Sequence, residues 1–334
     1  MHLDCVCPPH TALTKERVLE FDENAQLDTS QINDIRSQGG SGGGTFGGAG
    51  ASGGPNMGAV VGASMVSKMF GGGIGGLIAV GVLFFILNSC SQAGQTQNQA
   101  QGQNPTSGVQ NIASTCVTGA DANTKPDCRI VAAVNSTQAY WSKALAGSKT
   151  PYRQAPTVFF RGSVKTACGP ATAAVGPFYC PGDEKVYIDL GFFDQLRRDF
   201  GANGGPFAET YVIAHEYGHH VQHVVGFDKL VGKDRSGPKS GSVRLELQAD
   251  CFAGVWARNA VATGFVKSIT QADIDDGLNA ASVIGDDRIM QTAGQRVNPE
   301  KFTHGTSAQR QRWLTQGYTT GDPNKCDTWN TNQL

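Results

Sequence analysis

Hydrophobic and polar positions divide this chain into a polar first third, broken by one apolar run, and a regularly patterned remainder. Residues 1–38 are polar and mixed in charge, and residues 39–68 are glycine-rich, with GGSGGGTFGGAGASGGPNMG at 39–58. Such a composition makes a flexible spacer that cannot bury a core. Residues 69–87 (MFGGGIGGLIAVGVLFFIL) then carry no charge for 19 positions, the length of helix that crosses the hydrocarbon of a bilayer. They are expected to form a transmembrane element over 69–89. Residues 90–110, rich in Gln, Asn, Gly and Ser, read as a solvated linker. The folded domain is expected at 111–334.

Within that domain, residues 157–161 (TVFFR) and 185–190 (KVYIDL) are short β-branched and aromatic runs bounded by Gly and Pro, as strands are. Residues 206–225 predict a helix with Pro206 in its first turn and Gly226 as its stop. Residues 243–263 predict a second, with Leu245, Ala249, Phe252 and Trp256 on one stripe and Gly264 after it. Thr270 with Asp273 opens a third in capping-box style, and Thr306 or Ser307 caps a fourth through Trp313. The fold class expected is α+β: a mostly helical domain with a small sheet, preceded by one transmembrane helix.

Charge and cysteines set the surroundings. With Lys+Arg 27 against Asp+Glu 28 the chain has no field to gather nucleic acid. Lys15, Arg17, Arg36 and Lys68 precede the apolar run, while residues 88–110 hold no Lys or Arg, which predicts a cytoplasmic N-terminus and a domain outside the cytoplasm. Gly72 and Gly76 form a GxxxG through which anchors could pair into a homo-oligomer. Cys116, Cys128, Cys168, Cys180, Cys251 and Cys326 fall in the outer domain, an even number in an oxidising place. The sequence-local pairs Cys116 with Cys128 and Cys168 with Cys180 would leave Cys251 with Cys326, although six cysteines admit about 15 pairings.

The candidate chemistry lies on the first predicted domain helix. His215 and His219 are four apart, so on a helix they differ by about 40° and can reach one ion. Glu216 is turned about 100° from His215, where it can touch a metal-bound water and serve as general base. Glu246 and Asp250, again four apart, lie on the second helix. Glu246 can be the third zinc ligand, and Asp250 can accept the other ring N–H of a ligand histidine. A metzincin would need Gly at 222 and His at 225, and this chain has Gln222 and Val225, so the two-His-one-Glu gluzincin pattern fits instead. His220 and His223 are assigned core or surface roles. Asp286 and Asp287 suggest either calcium or, in preference, a solvated helix end.

The segments HEYGHHVQH, ELQADCFAGVWA, GPFYCPGDEKVYIDLGFFDQL and FTHGTSAQRQRWLTQGY resemble the putative neutral zinc metallopeptidases, a bacterial single-pass membrane family, over nearly the whole chain from about Gln26. The resemblance implies His215, His219 and Glu246 as zinc ligands and Glu216 as the catalytic carboxylate. By gluzincin analogy, Glu216 takes a proton from the zinc-activated water and passes it to the leaving amine. His304 is the candidate donor to the oxyanion, ahead of Arg310, Tyr211 and Tyr217. The strand at 185–190 is a candidate edge for an extended peptide. The function expected is a membrane-anchored zinc peptidase acting on envelope proteins or peptides, with a non-proteolytic zinc-stabilised binding module or another zinc hydrolase, such as an amidase, as alternatives.

Overall fold

The computed structural model describes residues 19–37 and 111–334. The apolar run 69–87, the glycine-rich spacer and the linker lie outside the described residues. Among the described residues no helix is long and apolar enough to cross a membrane.

An N-terminal arm supplies β1 (Glu20–Phe21) and β2 (Ile32–Asp34). Three helices follow, α1 (Ile112–Thr115), α2 (Gly119–Thr124) and α3 (Pro126–Ala144). Next come β3 (Thr157–Phe160), a hairpin of β4 (Ser163–Thr166) and β5 (Gly169–Thr172), β6 (Phe178–Cys180) and β7 (Lys185–Asp189). Helices α4 (Phe192–Arg198), α5 (Pro206–Val225) and α6 (Gly241–Asn259) precede the short β8 (Val266–Ser268). The chain closes with α7 (Gln271–Val283), α8 (Asp286–Thr292) and α9 (Ser307–Thr320). This is the mostly helical α+β arrangement expected.

Helix ends form where the chemistry places them. Pro206 occupies the first turn of α5, where a missing N–H costs nothing, and Gly226 ends it at φ 96, a left-handed conformation that glycine adopts without strain. Thr270 with Asp273 and Thr306 with Gln309 make complete capping boxes for α7 and α9. The expected helix at 243–263 is shorter: α6 stops at Asn259, and a 3₁₀ turn over Ala260–Thr263 carries the chain to left-handed Gly264.

The main sheet has the order β2-β3-β7-β6, with β2, β3 and β7 parallel and β6 antiparallel to β7. Thr157 pairs with Val186 and Phe159 with Ile188, while Phe178 pairs with Tyr187. Strand β7 is therefore interior, and the expectation that 185–190 is a free edge is corrected: both its hydrogen-bonding sides are taken by neighbours. The edge strand on that side is β6, and it lies against α5.

Residues 19–37 also correct the expectation that 1–38 stands apart from the domain. Strand β1 pairs antiparallel with β8, and β2 extends the main sheet beside β3. Asn123 exchanges two hydrogen bonds with the Phe21 backbone, and Asn135 two with the Asp28 backbone. Arg36 spans Asp34 and Asp127, each at 2.7 Å, with its guanidinium over the Phe159 ring. Leu19 and Phe21 are buried in the core that also holds Phe207, Tyr211 and Trp256. Polar composition concealed this, because the arm contributes backbone pairing and two apolar anchors instead of a periodic face.

Disulfides join Cys116 to Cys128, Cys168 to Cys180 and Cys251 to Cys326. The last spans 75 residues and ties α6 to the C-terminal segment, where chain-entropy reasoning gives about 4.5 kcal/mol of stabilisation. Two close helix crossings depend on missing side chains. A Cβ on Gly218 would sit 3.1 Å from the Ala249 backbone, so α5 and α6 touch at that point. A Cβ on Gly317 would collide with the Cys251 carbonyl, which brings α9 onto the other side of α6.

Candidate metal centre

One of these crossings assembles a buried site. The close approach of α5 to α6 at Gly218 brings the second turn of α6 level with the middle of α5. Glu246 Oε2 lies 3.2 Å from His215 Nε2, and its Oε1 lies 3.5 Å from His219 Nε2. These are the three side chains among the described residues that group as potential metal ligands. The fit to zinc is a matter of distance: donors roughly 2.1 Å from a tetrahedral ion sit roughly 3.4 Å from one another. His219 Nε2 is also buried with no hydrogen-bond partner, a cost a coordinated ion removes.

The opposite ring nitrogens are held. Asp250 Oδ1 lies 2.8 Å from His215 Nδ1, and Gln222 Oε1 lies 2.8 Å from His219 Nδ1. Both histidines thus turn Nε2 toward Glu246. Asp250 is fixed in turn by the Tyr211 hydroxyl at 2.6 Å and by the Arg310 guanidinium, whose Nε and Nη2 each lie 2.9 Å from a carboxylate oxygen. Burial alone would raise the Asp250 carboxyl, but Arg310 and His215 hold it down at about 2. Burial pushes the His215 imidazole down, and Asp250 and Glu246 more than reverse this, raising it to about 9. In the same way His219 and His215 overcome burial and hold Glu246 below the usual carboxylate range. His215, His219 and Glu246 could hold a zinc ion, for which both imidazoles would have to be neutral.

Glu216 stands beside the three donors without joining them. It accepts a hydrogen bond from the Tyr179 backbone on edge strand β6, and its Oε2 is buried with no partner. Burial raises its carboxyl to about 7, with His215 and His219 opposing. A carboxylate this poorly solvated takes up a proton readily. His304 lines the same cavity as Glu216 and His215, and its Nε2 is likewise buried and unpartnered.

The remaining sequence candidates divide. Arg310 and Tyr211 reach the site through Asp250. Tyr217 does not face it: its hydroxyl is bound to Thr157 and to the Ala155 carbonyl, each at 2.8 Å. His220 bonds Tyr179 and the Arg153 carbonyl, and His223 bonds Asp228. Neither calcium nor a solvated helix end describes Asp286 and Asp287. Asp286 is buried and binds the backbone N–H groups of Thr303, His304 and Gly305 as well as His304 Nδ1. Asp287 holds Ser307.

Two pairings are not visible in the sequence, Gln222 with His219 and Asp286 with His304. In the sequence Gln222 marks only a departure from the metzincin spacing, although a position three after His219 adjoins it on a helix. Asp286 and His304 carry no common spacing and meet only through the fold.

Two uncharacterized bacterial proteins are similar to this chain over more than half of its length. The uncharacterized protein Rv2575 of Mycobacterium tuberculosis is 48% identical over 228 residues, 66% of this chain and 76% of its own. The uncharacterized protein YpfJ of Escherichia coli K12 is 43% identical over 199 residues, 58% of this chain and 68% of its own. No solved structure matches at a significant level. A family profile described as "Putative neutral zinc metallopeptidase" matches residues 24–329, which takes in both the arm from Asn24 onward and all the donors of the buried site. The donor set, its spacing and the match over that length agree, and the chain belongs to the putative neutral zinc metallopeptidase family, with zinc as its metal.

Proposed function

We propose that this protein is a zinc-dependent endopeptidase in which His215, His219 and Glu246 hold the metal and Glu216 is the general base. The observation that carries the reading is the pairing of a tetrahedral donor spacing with a partnerless carboxylate oxygen at its side. Zinc supplies Lewis acidity, which polarises a peptide carbonyl and acidifies water. Glu216 takes the proton of the attacking water and delivers it to the departing amine. His304, whose protonated form Asp286 favours, donates to the developing oxyanion from Nε2. Asp250 and Gln222 hold the two ligand rings in orientation.

The substrates are proposed to be envelope proteins or peptides, bound in extended form near edge strand β6. Three disulfides favour an oxidising compartment for the domain, and residues 69–87 would tether it to the bilayer. Because residues 19–37 complete the same sheet, the arm is proposed to share that compartment.

The test uses the full chain. It should bind about one zinc and cleave an unfolded protein, and Glu216→Gln should abolish cleavage with the metal retained. Zinc-loaded protein that leaves a broad set of unfolded substrates intact would favour a binding module instead.

A further inference from the structure

The cavity into which Glu216 and His304 open is walled by carbon. Phe192 of α4, Val212 of α5, and Ile284 and Ile289 at either side of the α7–α8 junction form its sides, with Pro177 just ahead of β6. It is partly open and has room for a few water molecules. Besides His215, Glu216 and His304 of the proposed reacting centre, two polar side chains line it, and both are engaged elsewhere. The Arg310 guanidinium is engaged by Asp250 and the Ile284 carbonyl, and the Tyr211 hydroxyl donates to Asp250.

We propose that this cavity receives an aliphatic side chain from the substrate residue flanking the scissile bond, and that Ile289 sets its size limit. The inference rests on the peptidase reading above. Position argues for a flanking residue: the cavity shares His215, Glu216 and His304 with the reacting centre, so a side chain within it belongs to a residue at the cut. Lining argues for chemistry. A charged or amide side chain would leave water and find as partners only Glu216 and His304, the two groups the reaction itself engages, since Arg310 and Tyr211 cannot turn from Asp250 without unpairing a buried carboxylate. Volume argues for size, because a branched aliphatic group fills such a space and an indole exceeds it. Ile289 is half-buried on α8 and forms one wall without supplying a polar group, so its substitution reads out through the space it leaves.

The full chain, loaded with zinc, is incubated with a peptide library and the cut sites are read by mass spectrometry. One position flanking the cut should be enriched at least tenfold in Leu, Ile, Val or Met over Asp, Glu, Lys or Asn, in line with discrimination by an apolar pocket. Ile289→Ala should shift that position toward Phe and Tyr, and Ile289→Phe toward Ala and Gly. A profile with no apolar preference at either flanking position, or one that neither variant moves, overturns the proposal. A binding measurement separates this failure from that of the peptidase reading. Leucine hydroxamate should bind the zinc-loaded protein at least tenfold more tightly than aspartate hydroxamate whether or not peptides are cut, and equal binding overturns the cavity assignment.

Discussion

Asp286 reaches His304 twice: Oδ1 lies 3.0 Å from the imidazole Nδ1, and Oδ2 accepts the backbone N–H of the same residue at 2.7 Å. Ring and backbone are thus clamped by one carboxylate, which leaves Nε2 as the free end facing the cavity. Burial would push this imidazole down, and Asp286 more than compensates, so its value is raised. Asp286→Asn removes the charge and leaves burial less opposed. The alkaline limb of the pH–kcat profile should then move to lower pH, and kcat at the wild-type optimum should fall by about 10²-fold, the scale of losing one oxyanion donor. Zinc content should not change. An alkaline limb that stays in place would remove His304 from the reaction.

What the sequence revealed and concealed follows from how far apart the partners lie in the chain. His215, Glu216 and His219 sit on one helix, where spacing alone defines geometry, and Glu246 with Asp250 repeat that logic one helix later. Asp286 and His304 belong to different elements, and a loop folding back over α8 brings them together; no periodicity records that. The arm was hidden for a related reason. Its contribution is edge pairing by β1 and β2, which needs backbone and two anchors, Leu19 and Phe21, instead of a patterned stretch. Strand β7 was legible as a strand, but its interior place in the sheet depends on β3 and β6, which local sequence does not specify.

Asp250 carries two duties that substitution can separate. Asp250→Asn keeps the shape and weakens the hold on His215 Nδ1, and zinc affinity should fall about 10–100-fold, the usual cost of losing such a partner. Arg310→Met instead leaves the Asp250 charge buried without its cation, and the metal-loaded protein should lose about 3–5 kcal/mol of stability. Chelator competition reads the first and urea unfolding the second. Equal zinc affinity in wild type and Asp250→Asn would mean that His215 is oriented by its own packing.

His220 gives stability a pH dependence of known sign. Burial lowers its imidazole to about 4, below the ordinary unfolded value of about 6.5. The folded state therefore favours the neutral ring. Its contribution is complete above the unfolded value and is lost as pH falls toward 4, amounting to at most about 3 kcal/mol. Urea unfolding of zinc-loaded protein across this window should show stability declining with acid. His220→Gln should flatten that decline, whatever it does to the plateau above pH 7. An unchanged slope would assign the acid sensitivity to other groups.

The arm leads to the prediction with the widest consequence. Phe21 is 1% exposed in the main core, so Phe21→Ala should cost about 3–5 kcal/mol of domain stability. An arm this deeply built in cannot lie across a membrane from its partner strands β3 and β8. Yet a single crossing by residues 69–87 would place residues 19–37 and 111–334 on opposite faces. Glu23 and Leu230 are both exposed, one on the arm and one on the domain. With Cys5, Cys7 and Cys90 changed to serine, Glu23→Cys and Leu230→Cys should react alike with a membrane-impermeant maleimide on intact cells. The backbone pairing of β2 with β3 requires that outcome, and it would mean that the apolar run does not divide the chain. Labelling of Leu230→Cys alone, with Glu23→Cys reached only after lysis, would place the arm in the cytoplasm. The sheet edge beside β3 would then have to be completed by something other than the chain's own residues 32–34.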